Sequence, residues 1–324
     1  MLHRFVPAIG FVLAVAFNCG SAAQDFPSKP VTIVVPAPPG GSIDIFARQL
    51  GDLIQPMLKQ RFLVENKPGA GGSIGVRNVV SAQPDGYTLG FVWDGPLTTV
   101  PHSLQVSYTP DSYAAVMSFG YSAYTICARS EFPAQDAEAF VVQLKQNAGN
   151  YTLGLDSIGG TMHLAAVRVL TRLGVNVRFV PYGGATEVLK GFLSRDVDFY
   201  GSSIAPILPQ IAAGKAKCML VTSAASNPAL PQTAGLDALG LGSEATVLWW
   251  GVIAPAKTPP AILQTLESSL TKAASTERFK DLVAKQGGTM RLLNGVEMDR
   301  LIRKDLAALG QAARAAGIQQ QLTR

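Results

Sequence analysis

VTIVVPAPPGGSIDIFARQL, residues 31–50, decides the fold. A β-branched run ends at Pro36, a turn rich in proline and glycine follows, and an apolar stripe then begins (Phe46, Leu50, Leu53, Ile54, Met57). The run is short and unbroken, as in a strand covered on both faces. The stripe recurs at three- and four-residue steps, as on one face of a helix. Strand, glycine turn and helix in that order open a βα unit.

The same order repeats outward. Strands are predicted over 62–65 and 88–93, with a helix between them carrying Val76, Val79 and Val80 inward, which completes a βαβαβ lobe. Residues 114–118 and 124–128 read as two strands crossing into a second lobe. There, strands over 151–155, 177–180 and 197–200 alternate with helices starting near Thr161 and Ala185. Strands over 217–222 and 246–254 read as the return path. Late helices begin near Pro259, Thr276 and Gly295. The predicted division is 24–121 plus 246–324 for one lobe and 122–245 for the other, with the C-terminal helix able to pack across onto the second. Hinges are expected within 118–124 and 224–247. A chain that crosses twice makes a paired hinge, and such lobes can close on a ligand.

The chemistry sits where strands hand over to helices. In Pro39-Gly40-Gly41-Ser42, glycine lets the backbone approach a ligand, and Ser42 or Asp44 can cap the following helix. Asp156-Ser157-Ile158-Gly159-Gly160-Thr161 repeats this in the other lobe, with Thr161 as a natural N-cap. Free N–H groups and the helix dipole favour an anion at such places. Gly41 and Gly160 are therefore expected to admit close backbone approach. His163, one turn further, reads as a packing or hydrogen-bonding residue. A third junction, Pro181-Tyr182-Gly183-Gly184, offers the Tyr182 hydroxyl and the Gly183 backbone. The remaining glycine turn, residues 68–75, contains G-x-G-x-x-x-G. It follows the second strand and has the wrong spacing for a dinucleotide fingerprint, so it reads as a packing turn.

The termini and composition narrow the class. Arg4, the apolar stretch 9–17 and Ser21-Ala22-Ala23 form a signal peptide with cleavage after Ala23, which predicts export to the periplasm. A lipoprotein reading at Cys19 is weak, because Phe17 and Asn18 precede it. The mature chain keeps 26 basic against 22 acidic residues without a basic stripe, so nucleic acid is not an expected partner. Cys127 and Cys218 both fall in predicted strands; two buried thiols is the preferred reading, and a periplasmic disulfide is the alternative. No Cys/His cluster suggests a metal, and no cofactor is expected. Only His102 and His163 remain in the mature chain. Ser157-Ile158-Gly159 lacks the leading glycine of a nucleophile elbow, since Leu155 stands there. Neither a hydrolase nor an oxidoreductase can be assembled, so the expectation is a non-catalytic binder.

Several stretches together resemble one family. FPSKPV (26–31), VVP through Asp44 (34–44), VENKPGAGG (64–72), PDGYTL (84–89), GGTMHL (159–164), VPYGGA (180–185), and AP with TPP (254–260) are similar to the Bug family, the receptors of tripartite tricarboxylate transporters. The likeness runs from Phe26 to about Gly317. It implies an α/β, two-lobed periplasmic binding protein of the Venus-flytrap, type II-like kind, with two doubly wound lobes and a two-strand hinge. It implies a small organic acid or amino acid held by main-chain amides and waters at the loops beginning Gly40 and Ser157. It also implies a monomer that hands its ligand to membrane transporter subunits, or to a membrane sensor.

Two departures from the family, and one aromatic pair that matches it (Trp249 and Trp250), bear on the ligand. Trp93-Asp94-Gly95 stands where small or amide residues are usual. Asp94 in the cleft would repel a second carboxylate or bind an amine or hydroxyl; the other reading is an exposed or capping aspartate. Hydroxyls at 200–203, Ser202 among them, replace an acid or amide. Of Trp249 and Trp250, one ring is read as walling the cleft and the other as core.

Overall fold

Val31, Ile33, Val34 and Val35 are all buried, because the first strand lies between two covered faces. The computed structural model describes residues 26–318, so the signal-peptide reading of residues 1–23 lies outside the described residues. The first part of the chain runs β1 (Val31–Val35), α1 (Ser42–Leu58), β2 (Phe62–Asn66), α2 (Ser73–Val80), β3 (Thr88–Trp93), α3 (Asp94–Thr98), α4 (Val100–Ser103) and β4 (Tyr113–Arg129). The middle runs α5 (Ala137–Gln146), β5 (Thr152–Leu155), α6 (Thr161–Leu173), β6 (Arg178–Pro181), α7 (Ala185–Leu193), β7 (Phe199–Ser203), α8 (Leu208–Ala212) and β8 (Ala216–Val221). The chain returns through β9 (Val247–Pro255), α9 (Pro260–Ala274), α10 (Glu277–Lys285), β10 (Thr289–Asn294) and α11 (Gly295–Ala315).

Two half-sheets share one strand. In the first, the order is β2-β1-β3-β9-β4, with β10 on the far edge of β4. In the second it is β6-β5-β7-β4, with β8 also on β4. Each half has a parallel core (β2-β1-β3 and β6-β5-β7) closed by antiparallel strands. Phe46, Leu50 and Ile54 on α1 are fully buried, and Phe46 meets the rings of Phe119, Trp250 and Phe279. The second half centres on Phe140, Phe199 and Leu153.

The crossing is simpler than the sequence suggests. The two predicted strands are one 17-residue strand, β4. It pairs with β9 as far as Ala123↔Val247 and with β7 from Tyr124↔Ser203 onward. Gly120 reads in sequence as a break, yet it is a strand residue opposite Trp250. A Cβ there would lie 2.8 Å from the Thr289 carbonyl, so the glycine serves the close approach of β10. The return crossing is alongside: the Thr222 hydroxyl accepts from Tyr124 N–H, and Thr246 N–H donates to Thr222 O. Five elements are absent from the sequence reading: β10, α5 and the short helices α3, α4 and α8. β10 is an exposed edge strand without clean alternation, and α5 begins at an Asp136 cap.

The cysteine reading is corrected. Cys127 and Cys218 form a disulfide, because the antiparallel register of β4 and β8 sets them opposite one another. The tryptophan reading is also corrected. Trp250 packs with Phe46 and Phe119, and Trp249 is buried with its indole N–H on Asp305. Both belong to β9, a strand paired on both sides, and neither lines the cleft.

α11 ties the halves together. Met298 and Ile302 pack into the first half, whereas Leu309, Ala312 and Ala313 pack on Leu164 of α6. Asn294 and Glu297 form a reciprocal capping box at its start. Asn294→Ala is expected to cost about 1 kcal/mol in urea unfolding; an unchanged midpoint would contradict that role.

Candidate ligand-binding site

The β5–α6 junction is shaped by one turn. Gly159 has φ +79, which glycine adopts without strain, and its N–H donates to Nδ1 of His163 at 3.0 Å. Burial pushes His163 down to about 4, so the ring is neutral and can accept. Its edge meets Phe179. His163 is thus a turn-holder, as the sequence suggests. The capping expectation for Thr161 is corrected: Gly160 is the N-cap of α6, and no side chain caps the helix. The amides of its first turn keep their donors free of any side-chain cap.

Thr161 spends its hydroxyl elsewhere. It donates to Oδ2 of Asp94 at 2.5 Å, across the gap between the halves. Asp94 opens α3, directly after β3, and is 1% exposed. Its Oδ1 has no hydrogen-bond partner among the described residues. Burial drives this carboxyl up to about 8; the Thr161 bond pulls it down, and Asp305 adds to the rise. Asp94 is neither exposed nor a side-chain helix cap: it is buried behind the cleft-lining Thr161, where burial favours its protonated form. Asp156 accepts from Ser202 at 2.6 Å, and burial raises it to about 6. Tyr124, at the crossing of β4, is raised well above its ordinary value by burial, with Asp94 and Asp156 adding to it.

These groups surround a cavity of about 220 Å³ whose walls come from both halves, including Trp93, Thr99, Tyr124, Asp156, Ser157 and Thr161. It adjoins an outer space of about 510 Å³ bounded by Val100, Leu104, Ile158, Gly159 and Ile318. Gly71, Gly160 and Val100 border both. Among the described residues, neither space is lined by Lys or Arg. An anion here would be met by amides and hydroxyls.

The sequence-predicted residues divide into two groups. Trp93, Ser157, Gly159, Gly160 and Thr161 line these spaces, and Asp94, His163 and Ser202 stand behind them through hydrogen bonds. Pro39, Gly40, Gly41 and Ser42 form an exposed loop outside both linings, with the Ser42 hydroxyl on Gln286. Asp44 holds that loop. Burial raises its carboxyl, but bonds from Arg48, the Gly40 N–H and Asn66 outweigh it and keep the group below its ordinary value. A Cβ on Gly41 would meet nothing within 4 Å. Tyr182 lies against Gly191, on the α7 side, and Gly183 is exposed. The sequence reading does not single out Gly71, Thr99, Tyr124 or Asp156. Gly71 was legible as a left-handed turn residue (φ +63), but its place at the cleft was not.

A two-lobed α/β body with a cavity at the seam defines a periplasmic-binding-protein fold, and comparison agrees. The sequence matches the tripartite tricarboxylate transporter family receptor family, TctC, over residues 46–318, and the chain belongs to that family. It is therefore a member of a non-enzymatic family of solute-binding receptors. The structure of the periplasmic binding protein BugD shares 30% identity, with a TM-score of 0.74 over 91% of this chain and all of that one. MatC of Rhodopseudomonas palustris, solved with malate, is 24% identical, with a TM-score of 0.73 over 89% of this chain and 99% of its own. A second R. palustris protein, solved with adipate, is 23% identical, with a TM-score of 0.78 over 92% of this chain and all of its own.

Proposed function

We propose that this chain is an exported receptor that closes its two lobes over a small carboxylate and presents it to the membrane subunits of a tripartite tricarboxylate-type transporter. The observation that carries the reading is the seam cavity, where uncapped α6 amides from one half face Trp93 and Thr99 from the other. Amides at a helix start hold anions without a basic side chain. The malate and adipate bound by two relatives of the same fold support the carboxylate class. Export follows from the signal-peptide pattern, and the disulfide suits an oxidising compartment. The lobes, 24–121 with 246–324 and 122–245, would rotate about the paired crossing at Ala123–Tyr124 and Thr222–Val247.

Gly160→Val tests the placement. A Cβ there would sit 2.5 Å from Ser157 Oγ and crowd the α6 amides. The φ of −73 is open to valine, so the variant should fold. Calorimetric titration against a panel of carboxylates, malate and adipate included, should show binding to the natural chain and a loss of about 100-fold or more in the variant. Equal affinity in both proteins would refute the site.

A further inference from the structure

The seam cavity holds acid without a counter-charge. Asp156 lines it and has one partner, the Ser202 hydroxyl on Oδ1; Oδ2 has none among the described residues. Asp94, buried beside it, also leaves Oδ1 unpaired, although Oδ2 reaches the cavity-lining Thr161. Neither carboxyl takes part in an ion pair among the described residues, whereas Asp44, on α1 of the first lobe, has Arg48. Buried carboxyls normally find a cation or give up their charge. Asp156 immediately precedes the loop that ends at the α6 amides, so an acceptor for a cation and donors for an anion stand side by side. The adjoining outer space presents the apolar side chains Val100, Leu104, Ile158 and Ile318, with Thr99, Ser103 and Ser157 among them.

Resting on the carboxylate-receptor reading, we infer that the ligand is an α-amino acid with an apolar side chain. Its carboxylate lies on the first-turn amides of α6, its ammonium on Oδ2 of Asp156, and its side chain in the outer space. The ammonium supplies the counter-charge that the protein withholds. A second carboxylate would face Asp156 and no basic group, so dicarboxylates fit this arrangement less well.

Paired probes separate the groups. L-Leucine is compared with 4-methylpentanoate, and L-phenylalanine with 3-phenylpropanoate, each pair differing by the amine. Calorimetric titration near neutral pH should show each amino acid binding about tenfold or more tightly than its deaminated partner. Asp156→Asn should weaken the amino acids by about tenfold without weakening the deaminated acids, which lose a neighbouring negative charge. Deaminated acids that bind as tightly as the amino acids would overturn the inference while leaving the carboxylate receptor intact. An Asp156→Asn variant with an unchanged preference would also overturn it. If neither amino acid binds, the inference falls, and malate and adipate titrated on the same sample then judge the receptor reading on its own.

Discussion

Asp94→Asn is expected to stabilise the folded protein near neutral pH by an amount on the order of a few kcal/mol. Folding moves this carboxyl from its ordinary 3.8 to about 8, so the native state holds a proton that the unfolded chain releases. The sign follows from that difference. Below the unfolded value both states are protonated and the group costs nothing. As pH rises from about 4 to about 8 the native state loses stability, by up to ~1.4 kcal/mol per pH unit from this group. Above about 8 the penalty is complete. Asparagine keeps an oxygen to accept the Thr161 hydroxyl, while its N–H₂, placed where Oδ1 has no partner, offsets part of the gain. Asp156, raised to about 6, adds a smaller fall of the same sign between about pH 4 and pH 6. Urea unfolding of both proteins at several pH values should show the steep slope in the natural chain and a flatter one in the variant. Identical slopes would mean that Asp94 titrates as an ordinary aspartate.

Loss of the Cys127–Cys218 bond should destabilise the protein by a similar amount in the opposite direction. The bond closes a loop of 91 residues that contains most of the second lobe. Chain-entropy reasoning for a loop of that length gives about 4 kcal/mol or slightly more. Replacing both cysteines by serine, or reducing the bond, should lower the unfolding free energy measured in urea by that amount. A change below about 1 kcal/mol would show that the β4–β8 pairing carries the stability by itself.

Much of the architecture is legible from local pattern. β1 and β3 are largely apolar runs with punctuated ends, the helices at Thr161 and Ala185 start where glycine turns place them, and the helix at Gly295 starts at its Asn294 cap. What escapes is non-local. Gly120 and Ser122 look like a break, because only the neighbouring β10 and the Gly287 carbonyl bonded by Ser122 explain small residues there. β10 itself has an edge pattern with Arg291 exposed, which carries no strong period. The disulfide depends on strand register, which spacing along the chain does not encode. At the site, Gly159, Gly160 and Thr161 announce themselves by turn and cap chemistry. Tyr124 and Asp156 do not, since a tyrosine in a strand and an aspartate after one are ordinary until the opposite half arrives. The Thr161 hydroxyl shows the limit clearly: its residue type predicts a cap, and the carboxyl across the seam takes it instead.

The proposed receptor holds its acid at one place: the start of α6, inside the seam, with both halves around it. A crystal structure with the tightest-binding acid of the panel tests this most directly. A carboxylate is expected within hydrogen-bonding reach of the Gly160–Met162 backbone amides, in the space bounded by Trp93 and Tyr124. An empty seam, with the ligand instead in the separate surface cavity beside Arg77, Gln105 and Tyr108, would contradict it.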